Sequence, residues 1–514
     1  MTTAFVSPGA YSLEKDFSLY APALATSTLG IVLTASKGPI NERTLITDEG
    51  SLRTTFGPGS STHLGLLAAA RFLRKGNMLW VVRVGTYYTY PSDLTFQNAA
   101  ATVDTLRVYI PEDLGPGSWA NNVSVKIETG TKSGTFKLTV LENDATVEVY
   151  DLLLMGTANV DEAQYLPTRI NAASQYISVE VLAEAQTTLE VSSTATNFAG
   201  GTDGAPVGNY DLIGSIGSPP VVEPTGLQLF RDPDDVDINM LAVPGYHNRQ
   251  VISEMISIAE ERADCLAILN TPAGLSVSQA VDWHNGELLG DDDYPTAALN
   301  TSYAALYYGY GTIYDSGSDA DIEVPFDGHV AGVIAFTDKV ADPWQAPAGF
   351  RRAKLADVQS IEHSPTQGER DYMYANGNSL NPIVNFSGEG IVVWGQRTLQ
   401  RSSTSLDRIN VRRLLLYMRK VIATSTRYLV FEPNDETTWR QFVNLVSPVC
   451  QMIKDSRGLY DFRVICDETT NTAVRQARNE LFGRVLIQPT KTAEMVVSEF
   501  NLVPTGASFT EFTQ

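Results

Sequence analysis

The sequence predicts a multidomain α/β protein that carries one mainly β insertion. Three observations predict it. Short apolar runs alternate with helix-length amphipathic stretches over residues 21–92 and again over 201–388. Between them, residues 93–200 favour Thr, Val and Ser and alternate with a period of two. Residues 389–492 then resume the α/β pattern. At roughly 100–200 residues per domain, the 514-residue chain has room for about three or four domains.

In chain order, Ile31-Val32-Leu33 reads as a buried strand, and Lys37-Gly38-Pro39 as the turn after it. A helix is expected from His63 to Lys75, with Leu64, Leu67, Ala68 and Phe72 on one side, and a strand from Trp80 to Val84. In 93–200, Val123–Ile127 and Phe136–Val140 alternate as half-buried strands do, and Gly200-Gly201-Thr202-Asp203-Gly204 closes the region. Strands are then expected at Ile238–Val243, Cys265–Leu269 and His329–Phe336, and helices at Val251–Ala263 and Val277–Leu289. Alternation of this kind implies a parallel or mixed sheet covered on both faces. Near the C-terminus the pattern predicts a strand at Val392–Trp394, helices at Leu406–Thr424 and Glu436–Ile453, and strands at Phe462–Cys466 and Arg484–Ile487. Residues 1–20 and 493–514 hold too few core-forming residues to fold alone, so each is either frayed or tied to something else.

The formal net charge is −22, which argues against nucleic acid as a partner, because such binding rests on neutralising phosphates. The charge is uneven. From Gly388 to Lys491, 16 basic residues stand against 10 acidic ones, so this stretch is about +6 and could turn a basic surface to an acidic partner. The start, MTTAFVSPGAY, lacks a basic region followed by an apolar stretch, so no secretory signal is expected. Aliphatic clusters such as Leu152–Met155 are too short to span a bilayer, so no direct membrane insertion is expected. Three widely spaced cysteines, Cys265, Cys450 and Cys466, argue against a disulfide framework and a zinc site.

No catalytic chemistry stands out. The histidines are His63, His247, His284, His329 and His363, and none forms the i, i+4 pair of a helical metal site. His247 follows a strand at Pro244-Gly245, where α/β enzymes place function, but a surface-loop histidine is the plainer reading. Neither a nucleophile elbow nor a phosphate-binding loop occurs. The acidic clusters Asp232, Asp234, Asp235, Asp237 and Asp291–Asp293 lack calcium-loop spacing and read as solvated loops. The cysteines sit in apolar strands or on an apolar helix stripe, as inert buried thiols do. No catalytic residue, metal or cofactor is expected.

Several segments, taken in order, resemble the phage tail sheath family, which includes the sheaths of R-type bacteriocins. They are Ser7–Tyr11, Thr34–Asn41, the run RFLRKGNMLWVVRV over Arg71–Val84, Val243-Pro244-Gly245, Asn270–Gly274, Tyr303–Tyr308, Trp344–Gly349, Val393–Thr398, Ile409–Leu414, Phe431–Asn434 and Cys466–Glu468. Residues 93–200 match least. There Gly117-Ser118-Trp119-Ala120-Asn121 resembles a family block, with Ala120 where the family usually has glycine. The resemblance implies a central domain of the kind called subtilisin-like. It also implies a helical tube of stacked hexameric rings around an inner tail tube, with baseplate and tail terminator proteins as further partners. Terminal arms would add strands to neighbouring copies, and the 93–200 domain would face outward. The setting implied is the virion tail, reached from the host cytoplasm during assembly.

The residues themselves lend the arm idea some support. Phe5, Val6 and Tyr11 at one end, and Phe500, Leu502, Val503 and Phe509 at the other, are apolar but too few for a core. An exposed sheet edge can receive such a segment by strand addition. The strands holding Phe462 and Val464, and Val485 and Ile487, are the candidate receivers. On the 406–424 helix, Arg408, Arg412, Arg413, Arg419 and Lys420 lie around from the apolar face and are candidates for facing the tube or an adjacent subunit; internal pairs with Asp407 or Glu432 are the competing reading. The rival functions are an α/β hydrolase-like enzyme and another structural part of a contractile injection particle.

Overall fold

Strands that are apolar at every position, rather than at every second one, must be covered on both faces. Leu29–Leu33 and Leu266–Asn270 are buried along their whole length. In the computed structural model, which describes residues 27–155, 164–183, 185–192, 194–218, 222–287, 297–375 and 377–495, they lie inside a seven-stranded sheet. Its order is Leu380–Asn381, Ala304–Tyr307, Leu266–Asn270, Met240–Ala242, Leu29–Leu33, Leu79–Arg83 and Arg43–Ile46. All neighbours are parallel except the last pair. Helices Leu64–Leu73 and Asp327–Val340 contribute to the core on one face, and Arg249–Arg262 and Val277–Asn285 to the core on the other. The last of these opens on a capping box between Ser276 and Gln279. It stops at Gly286 (φ 75°), short of the expected Leu289, because the left-handed residue turns the chain out of the helix.

One expected strand is a helix. His329–Phe336 lies within the helix Asp327–Val340, whose residues from Asp327 to Ala335 are all buried. A helix enclosed on every side has no polar face, so its sequence lacks the 3.6-residue stripe and reads as a short apolar strand. Its glycine is required by packing. A Cβ on Gly328 would lie 2.0 Å from the carbonyl oxygen of Ala68 on helix Leu64–Leu73.

The insertion has its own core of buried residues that includes Leu106, Val125, Ile127, Leu138, Val140 and Phe198. Thr196–Asn197, Val123–Thr129, Phe136–Glu142 and Ala145–Leu153 form an antiparallel sheet in that order. Leu94–Gln97, Asp104–Tyr109 and Ser178–Val181 form a second. Asn143 and Asp144 both have positive φ (50° and 64°), as a two-residue hairpin turn demands. The chain enters and leaves side by side through antiparallel bridges at Thr86 with Ala205, Thr89 with Thr202, and Ser92 with Ala199.

The chain divides into two compact units after Glu432. The helix Ile409–Thr426 therefore belongs to the first unit, whereas the sequence pattern set a boundary at 388/389. Ile409 and Leu416 are part of the same core as the central sheet, which explains the difference. The second unit holds the helix Glu436–Asp455, the strands Leu459–Ile465 and Arg484–Pro489, and the short helix Ala473–Ala477.

Gly328→Ala should destabilise the first unit by about 1–3 kcal/mol, since a backbone carbonyl cannot move aside as a side chain can. Urea denaturation of the variant beside the parent chain measures this.

Candidate assembly interface

The alternation of Phe462, Arg463 and Val464, and of Val485, Leu486 and Ile487, makes one face of each strand apolar. Leu459–Ile465 and Arg484–Pro489 pair antiparallel, with Phe462 opposite Ile487 and Val464 opposite Val485. These four expected receiver residues are thus two directly opposed cross-strand pairs. All four are half-buried, while Arg463, Arg484 and Leu486 are exposed. The helix Glu436–Asp455 packs on the hairpin. Lys454 lies 5.9 Å from the Phe462 ring and bonds Asp461 at 2.8 Å. A Cβ on Gly483 would strike Phe442 at 2.2 Å, so the helix sits close. Among the described residues the hairpin has no third strand, and both outer edges lack a strand partner. A receiver would offer these backbone edges, since the four side chains belong to the face that packs. The arm residues Phe5, Val6, Tyr11, Phe500, Leu502, Val503 and Phe509 lie outside the described residues.

Arg412 and Arg413 on the basic side of helix Ile409–Thr426 are turned inward and are not free to face a tube, whereas Arg419 is exposed. Arg412 and Arg413 are each 5% exposed. Arg413 makes a two-pronged pair with Asp338 (2.7 and 2.6 Å), and Arg412 donates to Ser302 and lies 4.1 Å from the Tyr303 ring. Arg408 pairs with Asp407 (2.9 Å), Arg419 donates to the Tyr303 hydroxyl (3.1 Å), and Lys420 pairs with Asp237. Only Arg419 of the five is exposed. The helix begins inside the core, so residues 409–414 are buried all round and the basic residues had to find internal partners. Asp338 and Asp237 lie 75 and 183 positions away, and nothing in local sequence marks them. The first acidic cluster is likewise not simply solvated. Asp234, Asp235 and Asp237 pair with Arg427, Arg43 and Lys420. Asp291–Asp293 lie outside the described residues.

The enzyme reading turns on the carboxyl ends of the central strands, where doubly wound sheets bind ligands. There the His247 Nε2 and Tyr310 hydroxyl are 2.6 Å apart, and Asn270 donates to the carbonyls of Thr271 and Gly309 (both 2.9 Å). Burial keeps His247 neutral down to about 4 and pushes the Asp327 carboxyl up to about 8. His247 is half-buried and held by the Tyr310 hydroxyl, and so is not a free surface-loop side chain. The cavity lined by His247, Asn270 and Asp327 holds about 10 Å³, the size of one water. His329 is buried in its helix, 3.5 Å from Asp357, and His284 is fully buried. The three cysteines are buried and free, and burial raises the Cys265 thiol to about 12 and Cys450 to about 11. Among the described residues no group of His, Cys, Asp and Glu could hold a metal ion, and no helix is long and apolar enough to cross a membrane.

Three separated sequence blocks meet where the insertion joins the sheet. Arg83 donates to the carbonyls of Gly38 (2.6 Å) and Pro116 (3.0 Å). Lys37 lies 4.5 Å from the Trp119 ring. Ser118 donates to Asp203 through its N–H (2.8 Å) and hydroxyl (2.6 Å), and Asn121 exchanges two bonds with Gly201 (2.8 and 2.9 Å). A Cβ on Gly115 (φ +67°) would lie 1.7 Å from the Gly38 oxygen, so only glycine fits.

Three family models match this chain in order: the N-terminal region of domain III of the tail sheath protein Gp18 over 26–84, the phage tail sheath protein central domain over 229–399, and the phage tail sheath C-terminal domain over 401–502. The chain belongs to the contractile tail sheath family. It is 32% identical over 358 residues to the tail sheath protein of Vibrio phage KVP40, which covers 66% of this chain and 50% of that one. It is 30% identical over 298 residues to the tail sheath protein of Enterobacteria phage T4, covering 55% and 45%. The chain thus spans about half the length of the curated relatives it matches. The fold is that of a Listeria innocua sheath tail protein (TM-score 0.57, 14% identity, 91% of this chain and 96% of that one). It is also that of the anti-feeding prophage helical sheath in its contracted state (TM-score 0.55, 16% identity, 97% and 99%). The three matched segments leave out 85–228, the stretch that holds the insertion.

Arg413→Met should cost roughly 3–5 kcal/mol by stranding the Asp338 carboxylate. Adding Asp338→Leu should recover most of it, as urea denaturation of the single and double variants reads. Stability should also turn over with pH. Asp327 has a folded value (about 8) above its unfolded one (~3.9), so it weakens the fold as pH rises between the two. His247 and His284 (each about 4) lie below the unfolded ~6.5, so their contribution is lost as pH falls from 6.5 towards 4. A maximum near pH 6.5 is expected, with slopes of roughly 1.4 kcal/mol per pH unit for each group. Asp327→Asn should flatten the limb between 6.5 and 8 in denaturation curves taken across that range.

Proposed function

We propose that the protein is a structural, non-enzymatic subunit of a contractile tail sheath. It would polymerise as stacked hexameric rings around a tail tube and contract to drive the tube through the host envelope. The observation that carries this reading is the ordered match of tail sheath family segments from residue 26 to residue 502. The C-terminal hairpin adds a physical means. It is a two-stranded sheet with open edges, in a unit of one long helix and little else, and such a sheet gains from added strands. Segments 1–20 and 493–514 of other copies are the proposed strands. Contacts of this head-to-tail kind do not close on themselves and build helical filaments.

Contraction follows as rigid-body movement of linked subunits out of a metastable extended state, released over a kinetic barrier. No nucleotide is required of such a spring. The partners proposed are further copies of this chain, the tail tube protein, and baseplate and tail terminator proteins. The setting is the virion tail after assembly in the host cytoplasm. An enzyme would need a cleft and a poised nucleophile; the one-water cavity beside His247 and the buried, high-pKa cysteines favour the structural reading.

Deletion of residues 1–20, or of 494–514, should leave folded monomers that no longer polymerise. Sedimentation velocity and negative-stain microscopy test this. Normal sheath tubes from either deletion would end the strand-addition mechanism.

A further inference from the structure

Most arginines of the first unit pair with carboxylates, and Arg83, Arg412 and Arg419 are held by carbonyls, hydroxyls or a ring instead; Arg351, Arg352 and Arg370 lack a carboxylate beside an exposed aromatic cluster. Phe386 packs edge to face against Phe350 and Trp394, whose own rings are tilted to each other, with ring centroids 4.8–5.1 Å apart. Phe350 is 37% exposed and Trp394 38%. Arg370 sits over the Phe386 ring at 5.5 Å and donates to the Pro365 carbonyl (2.9 Å). Arg351 and Arg352 follow Phe350 directly. Arg351 is exposed, and the buried Nε of half-buried Arg352 has no hydrogen-bond partner. Among the described residues none of these three guanidiniums has a carboxylate within ion-pair distance, in a chain whose net charge is −22. Exposed aromatic rings flanked by arginines are the composition of interface hot spots.

The same unit carries a complementary surface. The strand Ala320–Pro325 is an edge of the antiparallel sheet it forms with Tyr310–Asp315 and Val358–Ile361. Asp319, Asp321 and Glu323 are exposed along it, and Tyr314 beside them is 48% exposed. Asp319 accepts from the Tyr314 hydroxyl (2.6 Å) and Asp321 from Gln359 (3.1 Å), but no Lys or Arg among the described residues pairs with the three.

We propose that the Phe350–Phe386–Trp394 patch, with Arg351, Arg352 and Arg370, docks the acidic edge strand Ala320–Pro325 of a second copy of this chain. The two surfaces lie on different parts of one molecule. Their contact is therefore heterologous, and it propagates as a helical lattice must. It is separate from the terminal arms and rests on the sheath-subunit reading above.

The test uses the full chain, its charge-reversed variants, and sedimentation with negative-stain imaging. Arg351→Glu with Arg370→Glu should raise the critical concentration for tube formation about tenfold, which corresponds to ~1.4 kcal/mol, with unchanged thermal melting. Asp321→Lys with Glu323→Lys should do the same. Mixing the two variants in one assembly would leave half of the contacts mispaired, so the decisive chain carries all four changes and should regain parental assembly within about threefold. Parental assembly by either double variant overturns the proposal. So does a loss in both that the four-fold variant does not regain, or a loss confined to co-sedimentation with the tube, which would point to another occupant. A parental chain that never polymerises would instead remove the sheath reading itself, and this contact with it.

Discussion

A parallel strand flanked by parallel neighbours on both sides cannot turn a face to water unless its side chains are polar, and those of this protein are not. Leu29–Leu33 and Leu266–Asn270 have no exposed position, so helices must lie over and under them. That requirement explains why Asp327–Ala335 is buried on every side, why Gly328 meets Ala68 without a side chain between, and why the helix Ile409–Thr426 is drawn into the first unit. Cover for the sheet then consumes charge. Arg412 and Arg413 enter the core with the helix that carries them, and Asp338 is buried with Arg413 as its neutralising partner.

Internal pairing changes what the charge of the molecule means for assembly. The sequence shows a basic stretch from Gly388 to Lys491, yet Arg408, Arg413 and Lys420 within it are matched by Asp407, Asp338 and Asp237. Charge of that kind holds the subunit together and steers nothing that approaches it. Three arginines that lack a carboxylate, Arg351, Arg352 and Arg370, stand instead beside an exposed aromatic cluster, where a neighbour could supply an anion.

The insertion is held by contacts that leave little freedom. Gly115 touches the Gly38 carbonyl where a methyl group would not fit, Lys37 lies over Trp119, and Asp203 takes two bonds from Ser118. A domain joined through paired strands and fixed by such contacts moves with the sheet that carries it. This suits the rigid-body movement proposed for contraction.

The sequence by itself determined the alternation of strands and helices, the β character of 93–200, and the two strands that hold Phe462–Val464 and Val485–Ile487. Periodicity of two or 3.6 is a local property, so it can be read from neighbouring residues. It also placed the order of family segments. Only the tertiary structure decided that His329 lies on a helix, that His247 is held against Tyr310, and that Arg412 and Arg413 look inward. His247, Arg413 and Arg412 depend on partners 63, 75 and 110 positions away, which no local pattern records. A residue enclosed on all sides loses the contrast between wet and dry faces that makes sequence legible.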